Sequence, residues 1–569
     1  MSPAPEKNRT LLADALVICV LGALLYAILN VAKEWQAPFV ADTHIELSLS
    51  KLPEYALYSL ARGWAAMGLS LLFSIGYATW AYYDARARAV LVPLLDILQS
   101  IPVLGFMPGL VLALVMVFPS TKFGLELACV LMIFTAQVWN MVFSYYDSLK
   151  AIPVELRDLG NLCGYGPVRR FLKIELPFAA QGLIYNGMVS MAGGWFFLTI
   201  NEAFTLGNKN FQLPGIGSYM SQAIAQGNAG AQVAAVVAMG VMILAVDRLI
   251  WWPLVIWSRK FKVEDTASGP RESTAVGRML ARSHAGDFLG AIPTHVASGL
   301  RRILPPPGKP GSHPAPLPQI PPGLAYGAVL VVIFAVGGFG LFQLGLMVLR
   351  LPAGEWAGIL IDAGATFLRV LAALAISSLW TIPVGVWIGL NPKVGRALQP
   401  VIQFAASFPA PMLYPLVFGL VLAAGGSLQW GAVILMMLGA QWYILFNVAA
   451  GAQAIPSDMV ACADIFRFRG LARWRKFLLP AVFPSLVTGW ITSAGGAWNA
   501  SIVSEYLEQG GKLFTATGLG ATISEATAAG DFNKLAASVV VMAACVVAIN
   551  RTFWKSLQRL GDRYCRFGG

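Results

Sequence analysis

Apolar stretches long enough to form membrane helices, separated by short charged passages, run through most of the chain. A helix needs roughly 20 apolar residues to cross about 30 Å of hydrocarbon. On that measure six spans are predicted near 11–32, 57–82, 89–117, 123–146, 178–204 and 231–257. Six more fall near 324–349, 358–390, 397–423, 429–450, 481–505 and 534–554. The third of each set is interrupted, by Pro102 and Pro108 in one and by Pro409, Pro411 and Pro415 in the other. Proline removes a helical N–H, and broken backbone survives at membrane depth only where protein or a water-filled cavity satisfies it. The expected fold is therefore all-α and polytopic, twelve spans as two sets of six.

Two polar passages depart from this pattern, and they match. Residues 151–177 read AIPVELRDLGNLCGYGPVRRFLKIELP and residues 454–480 read AIPSDMVACADIFRFRGLARWRKFLLP. They belong to a longer internal repeat. An offset of 307 pairs Arg62 with Arg369, Ser100 and Pro102 with Ser407 and Pro409, and Pro108 with Pro415. An offset of 303 then holds for about a hundred residues, pairing Pro153 with Pro456, Pro177 with Pro480, Trp195 with Trp498, Glu202 with Glu505 and Gly217 with Gly520. Both sets run the same way across the membrane, so the repeat is parallel, about an axis along the membrane normal. The domains expected are a first half, 1–257, a linker, 258–322, and a second half, 323–569. Within the linker, 305–322 holds nine prolines in eighteen residues, a composition that favours an extended, semi-rigid polyproline II spacer.

Composition agrees. Hydrophobic residues make up 57% and charged residues 12%, with mean hydropathy +0.67, against about 25% charge in ordinary soluble domains. The net charge of +12 points to membrane orientation rather than nucleic acid, because lysine and arginine gather beside the spans. Lys7, Arg9, Arg86, Arg88, both repeated loops, Arg259, Lys260, Lys393, Arg396 and the C-terminal arginines all fall on one side of a twelve-span chain. By the positive-inside rule that side, with both termini, is the cytoplasm. The loop 33–55, with four acidic residues, suits the outer face. The first apolar segment is too long for a signal-peptide core and reads as a retained span. The six cysteines show neither pairing nor metal-ligand spacing, and three of the four histidines lie in the linker, so neither a disulfide framework nor a metal site is expected.

The Ala-Ile-Pro entry, acidic residue, small-residue core, glycine and Leu-Pro exit of the repeated loop resemble the EAA loop. That loop marks the permease subunits of ABC importers fed by binding proteins. The spacing from Trp195 to Glu202 and Trp498 to Glu505, each followed by Gly-x-Gly, resembles the nitrate, taurine, sulfonate and bicarbonate branch. The likeness covers roughly 57–258 and 362–556. It implies a type I importer-like permease of the bacterial inner membrane, with two permease halves fused in one chain. Its implied partners are two copies of a cytoplasmic ABC ATPase, a periplasmic solute-binding protein and membrane lipid. It also implies that a small solute, first of all an oxyanion, passes by alternating access.

In that setting the repeated loop is a coupling helix. Pro153 and Pro456 suit a helix start, and Glu155 and Asp458 follow in the first turn, where a carboxylate meets the positive end of the helix dipole. Gly164 allows a sharp turn, and Pro177 and Pro480 are expected to close the element. The second copy departs from the pattern: Arg467 stands in place of Gly164, Ala461 in place of Asp158, and Arg469 adds a further cation. The two loops thus grip two ATPase copies differently, or the second also touches anionic lipid. A solvated loop without a partner is the plainer alternative, made harder to sustain by the duplication.

The chain has no GxxxxGK[ST] sequence, since Gly308-Lys309 is followed by Pro310 and Gly511-Lys512 by Leu513. ATP and Mg are therefore expected in the partner ATPase, with no cofactor and no enzymatic site in this chain. Candidates for the translocation pathway are the broken segments with Ser100, Pro102, Pro108, Ser407, Pro409 and Pro415, together with Asp96, Trp195 and Trp498. Arg62, Arg369, Glu202 and Glu505 join them as charges in or near spans; a buried ion pair or a snorkelling side chain remains open for the two arginines, and for the two glutamates, near the outer end of span five, an outer gate or binding-protein contact and a structural carboxylate at a helix end are both open. An ion-coupled secondary carrier or channel is the competing class; it would require buried carboxylate or histidine relays and leaves the duplicated loops without a role.

Overall fold

In a computed structural model the chain is described over residues 26–38, 45–99, 103–206, 209–261 and 324–564. Among these residues eight helices are long and apolar enough to cross a membrane, or nine if the bent pair Pro392–Ser407 and Ala410–Ala423 counts as one span. In the first half, spans two, four, five and six are Leu52–Tyr83, Phe123–Ala151, Leu176–Asn201 and Ala229–Val246. In the second they are Ala353–Leu390, Leu428–Gln453, Leu479–Ser504 and Phe532–Ile549. Span one of the second half is Leu324–Leu349; that of the first lies mostly outside the described residues, as do 262–323 of the linker, Ser100, Pro102 and the side chain of Asp96.

Both third spans break as expected, but Pro108 and Pro415 do not interrupt them: each lies inside the helix that follows the break, Pro108 in Val103–Val117 and Pro415 in Tyr414–Ala423. The first half divides into Ala85–Leu98 and Val103–Val117, and in the second the arms meet at 83°. Within each half, spans two, four and five form the packed core. Small residues bring these backbones together, as is usual where lipid supplies no hydrophobic drive. A methyl on Gly389, for example, would stand 2.6 Å from the Ala449 carbonyl oxygen.

The halves interlock through the broken spans. Val103–Val117 packs on spans five and six of the second half, while Pro392–Ser407 and Ala410–Leu413 pack on spans five and six of the first. The exchange is two-fold, as the constant offset requires.

Two features were not expected from the sequence. Each half carries a short antiparallel hairpin after span five, Ala203–Leu206 with Lys209–Gln212 and Tyr506–Gln509 with Lys512–Thr515. In the second hairpin Gly510 and Gly511 both have positive φ, at 58° and 71°, the backbone a tight two-residue hairpin turn demands. The second feature corrects the role given to Pro177 and Pro480. Neither proline closes a helix: Pro167–Asn201 and Gly470–Ser504 each run on continuously. A π-helical turn, Phe171–Glu175 or Trp474–Leu478, lies just before each proline. There Leu176 N–H donates to the Phe171 carbonyl, five residues back, and this wider turn lets the helix carry a proline near its start.

Candidate functional site

At one end of the molecule the repeated loops share one backbone. Pro153 caps the helix Val154–Leu162 and Pro456 caps Ser457–Ile465, with Glu155 and Asp458 in the first turns. Each helix then ends in the same capped turn. Tyr165 N–H donates to Gly160 at 2.9 Å and Phe468 N–H to Ala463 at 3.0 Å, closing the last carbonyls through a left-handed residue. That residue is Gly164 at φ 64° in the first loop and Arg467 at φ 53° in the second, the one non-glycine with positive φ among the described residues. Pro153 is half-buried and Glu155 and Asp158 are exposed. The second loop presents Ile465, Phe466 and Leu471, each more than 70% exposed, beside exposed Arg467 and Arg469.

Between the halves lies a cavity of about 370 Å³. Its wall includes Trp139 and Trp442, one repeat apart, with Asn140, Gln403, Tyr443, Trp498 and Asn499. Phe408 and Ala410 line it from the break in the second half; Ser407 and Pro409, their neighbours, stand at the bend, and Pro415 lies in the helical arm beyond it. Pro108 lines a second cavity of about 320 Å³ that reaches both hairpins.

At the hairpin end each half is held by a buried ionic clamp. Arg62, Glu126 and Glu202 all have fully buried side chains. Arg62 Nη1 donates to Glu202 Oε1 and to the Pro214 carbonyl, both at 2.8 Å, and Nη2 donates to Glu126 Oε1 at 2.7 Å. Glu202 also accepts from Ser59 Oγ at 2.6 Å and from Gly217 N–H at 2.7 Å. The second half repeats this: Arg369 Nη1 donates to Glu505 Oε1 at 2.8 Å and to the Thr517 carbonyl at 2.7 Å. Glu505 also accepts from Thr366 Oγ1 at 2.9 Å and from Gly520 N–H at 2.8 Å. Thr366 takes the place of Ser59, and Gln429 that of Glu126, its side-chain oxygen meeting Arg369 Nη2.

This geometry separates the sequence candidates. Arg62, Arg369, Glu202 and Glu505 are buried in the clamps, and the two-half cavity does not include them in its lining. The open alternative of a buried ion pair describes the arginines, and that of a structural carboxylate at a helix end describes the glutamates; that each pairs with the other was not expected. Trp498 lines the cavity, whereas Trp195 is buried against Gly63, whose added Cβ would lie 2.9 Å from the indole. Glu126, Ser59, Thr366 and Gln429 were missed; the signal available was the lone carboxylate Glu126 inside a predicted span.

Comparison with protein-family models matches residues 66–252, and again 381–560, to the binding-protein-dependent transport system inner membrane component. The chain belongs to that family. It carries the family's module twice, each copy containing one repeated loop; the first also contains the clamp glutamates Glu126 and Glu202, and the second contains Glu505. Among curated relatives, the nitrate import permease NrtB of Leptolyngbya laminosa is 26% identical over 198 residues, covering 35% of this chain and 67% of the relative. The bicarbonate transport system permease CmpB of Synechococcus elongatus is 31% identical over 147 residues, 26% of this chain and 51% of the relative. The taurine transport system permease TauC of Escherichia coli is 28% identical over 187 residues, 32% of this chain and 62% of the relative. The chain thus spans about half to two thirds of the length of these relatives. Membership with eight or nine apolar spans makes it a multi-pass inner-membrane permease of the ABC importer class.

In this permease a hydrogen bond crosses between the halves at the broken span. Asn499 Oδ1 accepts from Val103 N–H at 3.0 Å, the first helical residue after the break, while its amide donates to Gly495 at 3.1 Å. Its repeat counterpart, Phe196, cannot do this. Asn499→Leu leaves the Val103 N–H without its partner, a cost of about 1–3 kcal/mol, and is expected to lower the melting temperature in detergent by a few degrees. Asn140→Leu, whose amide has no hydrogen-bond partner among the described residues, is expected to leave it unchanged.

Proposed function

We propose that this chain forms the whole transmembrane path of an ATP-driven importer, moving a small oxyanion such as nitrate, a sulfonate like taurine or bicarbonate into the cytoplasm. The observation that carries the reading is the pair of loops with one shared backbone, on the face opposite the hairpins, with a cavity between the halves. In this reading two copies of an ABC ATPase seat on the loops through Pro153, Glu155, Asp158 and Gly164 on one side and Pro456, Asp458, Arg467 and Arg469 on the other. ATP and Mg are bound there, outside this chain. Both termini and the linker 258–322 lie on the same cytoplasmic side, between halves bounded at 257 and 323.

A periplasmic binding protein meets the hairpin face. The clamps fix each hairpin and its following short helix, Ile216–Ala225 or Leu519–Ala529, to spans two and five. Each hairpin packs on the short helix of the other half, so separating the halves at that face opens the outer path without breaking a clamp. Closure of the ATPases on the loops supplies that separation, and hydrolysis reverses it.

The test is purification of the full chain with a candidate ATPase, followed by reconstitution with a solute-loaded binding protein. A stable complex with ATPase activity raised by the loaded binding protein is the expected outcome. Failure to form any complex, together with no stimulation by any solute, defeats the reading. The oxyanion assignment is tested separately by which solutes the binding protein retains.

A further inference from the structure

The cavity between the halves combines unpaired hydrogen-bond donors with aromatic rings. Trp139 and Trp442, one repeat apart, line it, as do the next residues along, Asn140 and Tyr443. Asn140 is exposed and the other three are half-buried. Among the described residues neither indole N–H, nor the amide, nor the phenol has a hydrogen-bond partner. An indole is a donor only, and an amide and a phenol can also donate. The same wall carries the rings of Phe408 and Trp498, and among the described residues no lysine, arginine, histidine or carboxylate lines it. Its volume of about 370 Å³ falls in the range of about 300–1,000 Å³ usual for sites that take small organic molecules.

These features discriminate among the solute classes of the proposed function. Nitrate and bicarbonate bring a charge and almost no apolar surface. Taking such an ion out of water is costly without a counter-charge, and aromatic walls offer it no compensation. An organic sulfonate meets the same cost at its head, where three acceptor oxygens suit neutral N–H and O–H donors, but its carbon body gains by leaving water. Each methylene buried against the rings corresponds to about a fourfold gain in affinity. We propose that this cavity is a binding site for an organic sulfonate, in preference to nitrate or bicarbonate. The sulfonate oxygens accept from the donors at Trp139, Asn140, Trp442 and Tyr443, and the carbon body lies on the rings. The proposal rests on the reading of this cavity as the transport path.

The experiment titrates the purified full-length chain in detergent with nitrate, bicarbonate and a series of alkylsulfonates from methanesulfonate to butanesulfonate. Binding is measured by calorimetry at constant pH and ionic strength, and melting is followed in parallel, since a ligand of the folded state raises the melting temperature. No ATPase or binding protein is present, so failure to assemble an importer defeats the proposed function and leaves the binding measurement standing, and the reverse also holds. Affinity is expected to rise about fourfold with each methylene, with nitrate and bicarbonate at least about tenfold weaker than butanesulfonate. Trp139→Phe with Trp442→Phe keeps the rings and removes both indole donors. It is expected to weaken butanesulfonate about tenfold while keeping the gain per methylene. Asn140→Leu, which is expected to fold as the wild type does, weakens it severalfold and gives the answer if the double variant does not fold. The proposal is overturned if no sulfonate binds, if affinity does not rise with chain length, or if nitrate or bicarbonate binds as tightly as butanesulfonate. It is equally overturned if the folded variants bind butanesulfonate as tightly as the wild type.

Discussion

Glu505→Ala is expected to damage the protein more than Glu202→Ala, although the two glutamates are repeat equivalents. Removing one member of a buried ion pair strands the other, at a cost of about 3–5 kcal/mol. In the second half the loss of Glu505 leaves Arg369, nearly buried, with only the Thr517 carbonyl and the Gln429 side chain and backbone carbonyl. No carboxylate remains. In the first half, loss of Glu202 leaves Arg62 still paired with Glu126 through two hydrogen bonds. Both variants also orphan a glycine N–H at the start of the short helix, so that part of the cost is shared. Fluorescence-detected size exclusion and melting in detergent measure the difference directly: a large loss of folded protein for Glu505→Ala and a partial loss for Glu202→Ala. Equal losses would show that Glu126 does not compensate. The compensation has its own check, since Gln429→Glu introduces into the second half the carboxylate the first already has. It is expected to restore part of the stability that Glu505→Ala removes.

That asymmetry also shows what a sequence reveals about such a fold. Arg62 and Arg369, and Glu202 and Glu505, were legible because unlike residue types recur at a fixed offset within apolar surroundings. Glu126 was not, because its counterpart is Gln429 and the repeat conceals a carboxylate whose partner is an amide. Span existence followed from hydropathy, and the breaks followed from proline. The hairpins did not, because strands of four residues at the end of a long apolar helix are too short for a period of two to be distinguished. Pro177 and Pro480 misled for a related reason. A proline signals a missing N–H, but not whether the chain responds by ending the helix or by widening one turn into a π-helix. The cavity between the halves was legible only as a location near the breaks. Its wall is assembled from residues of both halves, Trp139 with Trp442 and Asn140 with Tyr443, and no local pattern records which residues meet across a two-fold axis.

Arg467 offers the second test, because there local stability and function are expected to move in opposite directions. The left-handed backbone at φ 53° costs an L-residue with a side chain about 1–2 kcal/mol relative to the right-handed region, and glycine avoids it. Glycine also gives the unfolded chain more freedom, worth about 0.4–1 kcal/mol the other way. Arg467→Gly should therefore leave the melting temperature unchanged or slightly higher. Retaining arginine at a position where the first loop has glycine is then hard to attribute to folding, and its surroundings suggest a contact. Phe466 and Ile465 are 73% and 76% exposed beside it, and Arg469 follows two residues later, so the turn presents cations on an apolar tip. A partner surface matching it is an apolar groove with an acidic rim, on the ATPase that the proposed function places there. Loss of one such charge-assisted contact of about 1.4 kcal/mol weakens binding about tenfold. Arg467→Gly is expected to lower ATPase affinity by that order, and Arg467→Glu with Arg469→Glu to lower it further while inverting its salt dependence. Gly164→Arg in the first loop is expected to fold with a small loss of stability and without gain in affinity, since Ile465 and Phe466 have Leu162 and Cys163 as their counterparts there. Titration of each variant with the ATPase subunit at two salt concentrations, alongside its melting curve, separates the two roles. If Arg467→Gly is less stable than the wild type and binds the ATPase equally well, Arg467 is a folding element and the cationic tip is not the contact.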